Sequence, residues 1–119
     1  MISREHRFHG YGSLRYVYRN GVTVRGPLFS LKAAPNPKRK GYRLAVVVSR
    51  KVHKSAVARN RLRRRLYEAV RALEDSIVHP YDIVITVFQD SLVDEPPISL
   101  SKQVKRQLTQ AGVLVKLVR

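Results

Sequence analysis

Between Ser49 and Arg65 the chain carries eight Lys or Arg residues (Arg50, Lys51, Lys54, Arg59, Arg61, Arg63, Arg64 and Arg65) and no acid. These residue types bind anions. A guanidinium presents a planar fork of donors that fits pairs of phosphate oxygens, and an ammonium is a compact point charge. One such contact is worth little in salt water, but many together release counterions condensed on a polyanion, and nucleic-acid affinity grows from that release. Pairing within a helix does not account for the run: Arg59, Arg61 and Arg63 have no acid four residues away, and only Arg64 has one, Glu68. Asn60, polar and uncharged among the arginines, is suited to reading a base edge or a 2′-hydroxyl. A second group interleaves rings with cations: Phe8, Tyr11, Tyr16 and Tyr18 beside Arg7, Arg15 and Arg19. That pattern suits stacking on unpaired nucleotides, with core packing the competing use of each tyrosine. Phe29, Tyr81 and Phe88 are assigned to the core.

Catalytic chemistry finds little material. With no cysteine, the chain offers no thiolate nucleophile, no thiolate metal site and no disulfide-linked partner. His6 and His9 have no third ligand nearby. Asp94 and Glu95 are adjacent, so their carboxylates diverge and do not form an acid/base pair. No glycine pattern makes a phosphate loop. The expectation is a protein with no catalytic residue and no metal site of its own.

The charge is unevenly placed. In 119 residues Lys and Arg number 24 against 8 acids, for a formal charge of +16. From His6 to Tyr67 there is no Asp or Glu, while Lys and Arg occur 17 times. Such a distribution describes an anion-binding surface backed by an ordinary scaffold. No apolar stretch has the length of a membrane helix, and without Trp the basic helix lacks interfacial anchors, so no membrane partner is expected. The N-terminus has no apolar signal core, and a cytoplasmic location is expected.

The elements that position these residues follow from periodicity. Ser13 is placed as the cap of a short helix with Leu14, Val17 and Tyr18 at helical spacing, ending at Asn20-Gly21. Val22 to Arg25 is a short strand; Leu28 to Ala34 alternates, with Phe29, Leu31 and Ala33 on its buried face. A proline loop, Pro35 to Gly41, leads to the strand Tyr42 to Ser49, read as central and buried, and the two strands it joins are expected to form an antiparallel hairpin. From the N-cap Ser55 to about Asp75, Ala58, Leu62, Leu66, Ala69, Val70 and Leu73 make one apolar stripe. Tyr81 to Phe88 is another strand, Asp94 to Pro97 a linker, and Ser99 to about Ala111 a last helix. Strand, helix and strand in succession imply a parallel crossover. The expected product is a single α+β domain over 1–119, with about four strands in a mixed sheet packed by helices and an undecided tail at 113–119.

The segment Val47-Val48-Ser49-Arg50-Lys51-Val52, followed by Ala56-Val57-Ala58-Arg59-Asn60-Arg61-Leu62-Arg63-Arg64-Arg65-Leu66, resembles the signature of the bacterial ribonuclease P protein family. Glu5-His6-Arg7 and Arg15 to Gly21 look like that family's first helix, Gly26-Pro27-Leu28-Phe29 its first core strand, and Tyr81 to Ile85 a later one. His53 stands where the family usually has Gly, Tyr67 where it often has Arg, and Leu14 where it commonly has Phe. The resemblance implies an RNA-binding subunit that joins a catalytic RNA to remove the 5′ leader of precursor tRNA, the hydrolysis being done by Mg2+ held on the RNA. It implies contacts to the catalytic RNA from Arg50, Lys51, Lys54, Arg59, Asn60, Arg61, Arg64 and Arg65, and a groove for the precursor leader lined by Leu14, Tyr18 and Ser49. It also implies a left-handed β-α-β crossover, against the usual hand. The competing reading is a ribosomal or other structural RNA-binding protein. A helix-turn-helix DNA binder is disfavoured by the strand character of Leu44 to Val48.

Overall fold

In a computed structural model of the chain, residues 11–38, 41–77 and 79–114 are described. Helix α1 (Tyr11–Asn20) opens the fold. It begins two residues before Ser13, which therefore lies within its first turn and is not its cap. It stops at Gly21, whose N–H donates to the Val17 carbonyl at 2.7 Å. A Cβ at Gly21 would lie 2.5 Å from that same oxygen, so the tight entry into the sheet admits only glycine. Strands β1 (Val22–Arg25) and β2 (Phe29–Pro35) pair antiparallel, Val22 opposite Ala33 and Arg25 opposite Ser30.

After β3 (Arg43–Val48), helix α2 (Ala56–Arg71) and a 3-10 turn at Glu74–Ser76, strand β4 (Tyr81–Val87) enters between β2 and β3. The sheet order is β1-β2-β4-β3. β4 runs antiparallel to β2 (Phe29 opposite Val87) and parallel to β3 (Val48 opposite Val87). The parallel crossover expected from the sequence is present, but the hairpin across the proline loop is not: β4 lies between the two strands that the loop joins. The reason lies in burial. β4 is apolar on both faces, with Ile83, Val84 and Ile85 all buried, and such a strand gains most at the centre of a sheet. β3 alternates buried and half-buried residues and occupies the edge instead of the centre.

One sheet face carries the main core. Leu62, Leu66 and Val70 of α2, with Leu100, Val104 and Leu108 of the last helix α3 (Pro97–Gln110), bury Phe29, Leu31, Leu44, Val46, Ile83, Ile85 and Val87. α2 ends at Arg71, earlier than its stripe suggests, and Leu73 follows outside it. α3 starts at Pro97, two residues before Ser99, because proline fits the first helical position, where no N–H bond is needed. It closes at Gly112 (φ +83°), with Gly112 N–H to the Thr109 carbonyl and Val113 N–H to the Leu108 carbonyl, so buried Val113 packs back on Leu108. The start of the undecided tail thus belongs to the core, and 115–119 lie outside the described residues. On the opposite sheet face α1 covers a smaller cluster, Val17 and Val84, with Leu14, Ala45 and Val47 packed against them. Among the described residues no helix is long and apolar enough to cross a membrane.

A buried ion pair locks the sheet. Asp82 of β4, 1% exposed, accepts from Arg43 of β3 at 2.9 and 2.8 Å and from the Asn36 side chain at 2.8 Å. Removing one partner leaves the other charge buried without compensation. Asp82→Ala is expected to cost about 3 kcal/mol or more, against under about 1 kcal/mol for Arg71→Ala, whose 3.6 Å pair with Glu68 is exposed. Urea unfolding midpoints check the contrast.

Candidate nucleic-acid interface

The turn between β3 and α2 is built by its own side chains. Ser49 C=O accepts from Val52 N–H at 3.1 Å, and Ser55 Oγ accepts from Ala58 N–H at 3.3 Å, the cap expected from the sequence. His53 Nδ1 accepts the Ser55 N–H at 3.1 Å. No non-glycine residue among those described has positive φ, so His53 needs no glycine-like conformation to make this turn. Arg59 reaches back from the first turn of α2 and donates to the carbonyls of His53 and Lys54, both at 2.9 Å. Its guanidinium therefore shapes the turn that carries Arg50, Lys51 and Lys54. Arg50, Lys51 and Lys54 lie on the solvent side of that turn, Arg50 and Lys51 just past β3 and Lys54 just before the Ser55 cap.

Along α2 the arginines divide by face. Leu62, Leu66 and Val70 point to the sheet. Asn60 and Arg64, four residues apart, lie on the side away from it, and both are exposed. Asn60 Oδ1 accepts from Arg63 at 2.8 Å, which leaves its amide N–H groups outward. Arg61 and Arg64 rim a cleft of about 390 Å³ between α2 and α3, floored by Ala69, Ala72, Pro97 and Leu100. Among the described residues the side chains of Arg50, Lys51, Lys54, Arg61 and Arg64 make no hydrogen bond or ion pair within the chain. Arg65 is different. It turns inward and donates to the carbonyls of Leu92 (2.6 Å) and Val93 (3.0 Å) and to that of Glu95, pinning the 3-10 segment Asp90–Asp94 to α2. Carbonyls leave the positive charge of Arg59 and Arg65 uncancelled, but one terminal nitrogen of Arg59 and both terminal nitrogens of Arg65 are committed. Tyr67 is half-buried against the core.

A second surface lies on the other side of the sheet. α1 leaves uncovered a strip floored by half-buried Ser30 and Lys32 of β2, Val47 of β3 and Thr86 of β4. Tyr18, 45% exposed, borders it, with Lys32 Nζ 5.4 Å from its ring centre and donating to its carbonyl at 3.0 Å. Leu14, on the sheet-facing side of α1, is half-buried. Ser49 is exposed one residue past β3. Leu14, Tyr18 and Ser49 thus share one sheet face, separate from the outward face of α2 and joined to it through the turn at 49–55. Tyr16 is exposed, its hydroxyl donating to the Pro35 carbonyl. Two further residues of this strip are not among the site residues read from sequence, and one of them, Phe88, is read there as core. Lys32 lies on its floor, and Phe88 is 41% exposed rather than buried in the core. Alternation along β4 is the signal for Phe88, since it has the parity of Val84 and Thr86 and not that of Ile83, Ile85 and Val87. Tyr81 is half-buried against the core, as expected. Phe8, His6 and His9 lie outside the described residues. Among those described, no three His, Cys, Asp or Glu side chains gather as metal ligands.

A mixed four-stranded sheet, with a cationic crossover helix on one face and a short helix on the other, defines an α+β domain of the ribonuclease P protein type. The Ribonuclease P family model matches residues 2–112. A ribonuclease P protein component from Chloroflexus aurantiacus is 37% identical over 113 residues, covering 95% of this chain and 82% of that protein. The component from Synechococcus elongatus is 32% identical over 116 residues, covering 95% of both. A structure of the Staphylococcus aureus RNase P protein superposes with a TM-score of 0.79 at 22% identity, over 92% of this chain and 98% of that one, and shares the fold. The chain belongs to the ribonuclease P protein family, whose named members here are ribonuclease P protein components.

The division of the arginines predicts their stability effects. Arg65→Ala, which removes the guanidinium donor from three carbonyls and leaves only that of Leu92 another partner, the Glu95 N–H, is expected to lower stability by about 1.5–3 kcal/mol, and Arg65→Lys to recover only part because an ammonium lacks the fork. Arg61→Ala and Arg64→Ala are expected to stay within about 0.5 kcal/mol of the parent. Urea midpoints at unchanged m-value check both.

Proposed function

We propose that this chain is the protein subunit of a ribonuclease P holoenzyme, binding the catalytic RNA through the outward face of α2 and the unpaired 5′ leader of precursor tRNA along the strip beside α1. In this reading the RNA and its Mg2+ perform the endonucleolytic cleavage that gives the mature tRNA 5′ end, and the protein supplies binding. The observation that carries it is the set of outward cations Arg50, Lys51, Lys54, Arg61 and Arg64, without partners among the described residues and held in place by Arg59, Arg65 and the leucines of α2. So many uncompensated charges on one rigid turn and helix favour a folded polyanion over a small ligand. Arg59 and Arg65 serve the interface by shaping it, and they present charge to the RNA at short range. Tyr18 and Ser49, on the other face, flank a floor whose strand residues carry one acid, Asp82, already neutralised by Arg43.

Reconstitution tests the proposal. The chain alone is expected to cleave nothing, and with its RNA at low Mg2+ it should accelerate leader removal and tighten precursor binding. No effect of the protein under those conditions refutes it. Arg61→Ala and Arg64→Ala are each expected to flatten the plot of log affinity for the catalytic RNA against log salt, by about one unit for every phosphate no longer neutralised. An unchanged slope in both removes α2 from the interface. Tyr18→Ala should weaken long-leader precursors more than mature tRNA, as measured by equilibrium binding to the holoenzyme.

A further inference from the structure

Phe88 is a large apolar side chain left in water on a face where it has a specific neighbour. β3 and β4 run parallel with Val48 opposite Val87, so the next pair in register is Ser49 and Phe88, each one residue past its strand. The Phe88 N–H still donates to the Leu28 carbonyl at 3.1 Å, which continues the ladder and keeps strand alternation through this position. Val87 is buried at 2% exposure, and Phe88, facing the other way, is 41% exposed. At a rise of about 3.3 Å per residue, Phe88 stands roughly 13 Å along β4 from Val84. Val84 pairs with Lys32, the residue whose ammonium faces the Tyr18 ring. Tyr18 therefore borders the floor at the Lys32–Val84 pair and Phe88 stands at its other end, Ser30 and Thr86 between them, and the two β4 positions, Val84 and Phe88, are about four base steps of 3.4 Å apart.

From this placement we infer that Phe88 is a second stacking platform for the single-stranded RNA leader, acting at the far end of the strip from Tyr18 and fixing how much of the leader the protein grips. The inference rests on the proposed binding of the leader beside α1. The occupant is set by charge and shape. Arg25, on β1 opposite Ser30, and Arg50 and Lys51, following Ser49, bring cations to the same end of the sheet as the ring, while the one acid nearby in sequence is the exposed Asp90. A flat ring beside lysines and arginines on a polar floor takes an unstacked base with its phosphate, and such stacking tolerates any sequence. An apolar peptide would leave the cations and the Thr86 and Ser30 hydroxyls without partners.

The chain has no Trp, so Phe88→Trp and Tyr18→Trp each install a single fluorophore. In the holoenzyme reconstituted with the catalytic RNA, Phe88→Trp emission is expected to be quenched on adding precursor tRNA with a leader of about ten nucleotides, and to stay unchanged with mature tRNA. Phe88→Ala and Phe88→Leu should both weaken long-leader precursor by about five- to tenfold, the low end of base–aromatic stacking, with mature tRNA unaffected. Rescue by Phe88→Leu would mean that apolar bulk alone matters, and would overturn the assignment. A silent Phe88→Trp beside a responding Tyr18→Trp overturns it as well and leaves the leader proposal standing. If neither fluorophore responds, the leader proposal fails and Phe88 falls with it. Equal quenching by mature tRNA would move Phe88 to the tRNA body and also overturn the inference.

Discussion

The docking of α2 by its apolar stripe is the constraint on which the rest depends. A chain with 24 cations and 8 acids works against its own compaction, and α2 concentrates that repulsion by carrying Arg59, Arg61, Arg63, Arg64 and Arg65 in little more than one turn and a half. Leu62, Leu66 and Val70, all fully buried on the sheet, hold the helix there. Burying a leucine or valine side chain is worth about 1.5–3 kcal/mol each. Like charges near the surface, screened by water and salt, repel by considerably less per pair. The oily side outweighs the charged side, and the cations can stay outward.

The few acids are used in keeping with this. Asp82 is buried against Arg43 and Asn36; Glu74 accepts from the buried Tyr42 hydroxyl at 2.8 Å; Glu95 accepts from Ser99 and Gln103. Burial, and then the Glu74 carboxylate, push the Tyr42 phenol above its ordinary range, so that it stays protonated and donates. These carboxylates organise the scaffold and are withdrawn from competition for the exposed cations. A surface meant only for solubility gains nothing from tying up these three acids this way, while Glu68, Asp75, Asp90 and Asp94 stay exposed.

The sequence discloses what local pattern dictates and conceals what depends on competition between distant parts. The stripe from Ala58 to Val70, the Ser55 cap, the stops at Gly21 and Gly112 and the parallel pairing through α2 all follow from spacing and from single residue types. The strand order does not. Adjacent strands β2 and β3 make a natural hairpin until β4 is weighed against both, and then its two-sided apolar character takes the centre. Phe88 is concealed in the same way, because aromatic identity suggests the core while parity along β4 places it outside. The arginines show the limit most clearly. Arg61, Arg64 and Arg65 are indistinguishable by type and all lie within five residues. Only the carbonyls of Leu92, Val93 and Glu95, contributed from a segment far along the chain, set Arg65 apart.

The two surfaces meet at the turn over 49–55. Ser49 ends the strip beside α1, and the next residues, Arg50 and Lys51, begin the cationic surface that leads into α2. The conformation of the turn is fixed by the Ser49 carbonyl, His53 Nδ1, the Ser55 hydroxyl and the Arg59 guanidinium, so it cannot shift at one surface without disturbing the other. A polyanion seated on α2 would further confine Arg59 and its turn, and with them Ser49 and its neighbour Phe88. In the proposed function, two RNA segments held on opposite sides of the sheet would then be set in a fixed relation by a few hydrogen bonds. Simultaneous grip on a folded RNA and on a flexible strand needs this kind of rigidity, because ordering a loose turn at the moment of binding would cost conformational entropy at both sites.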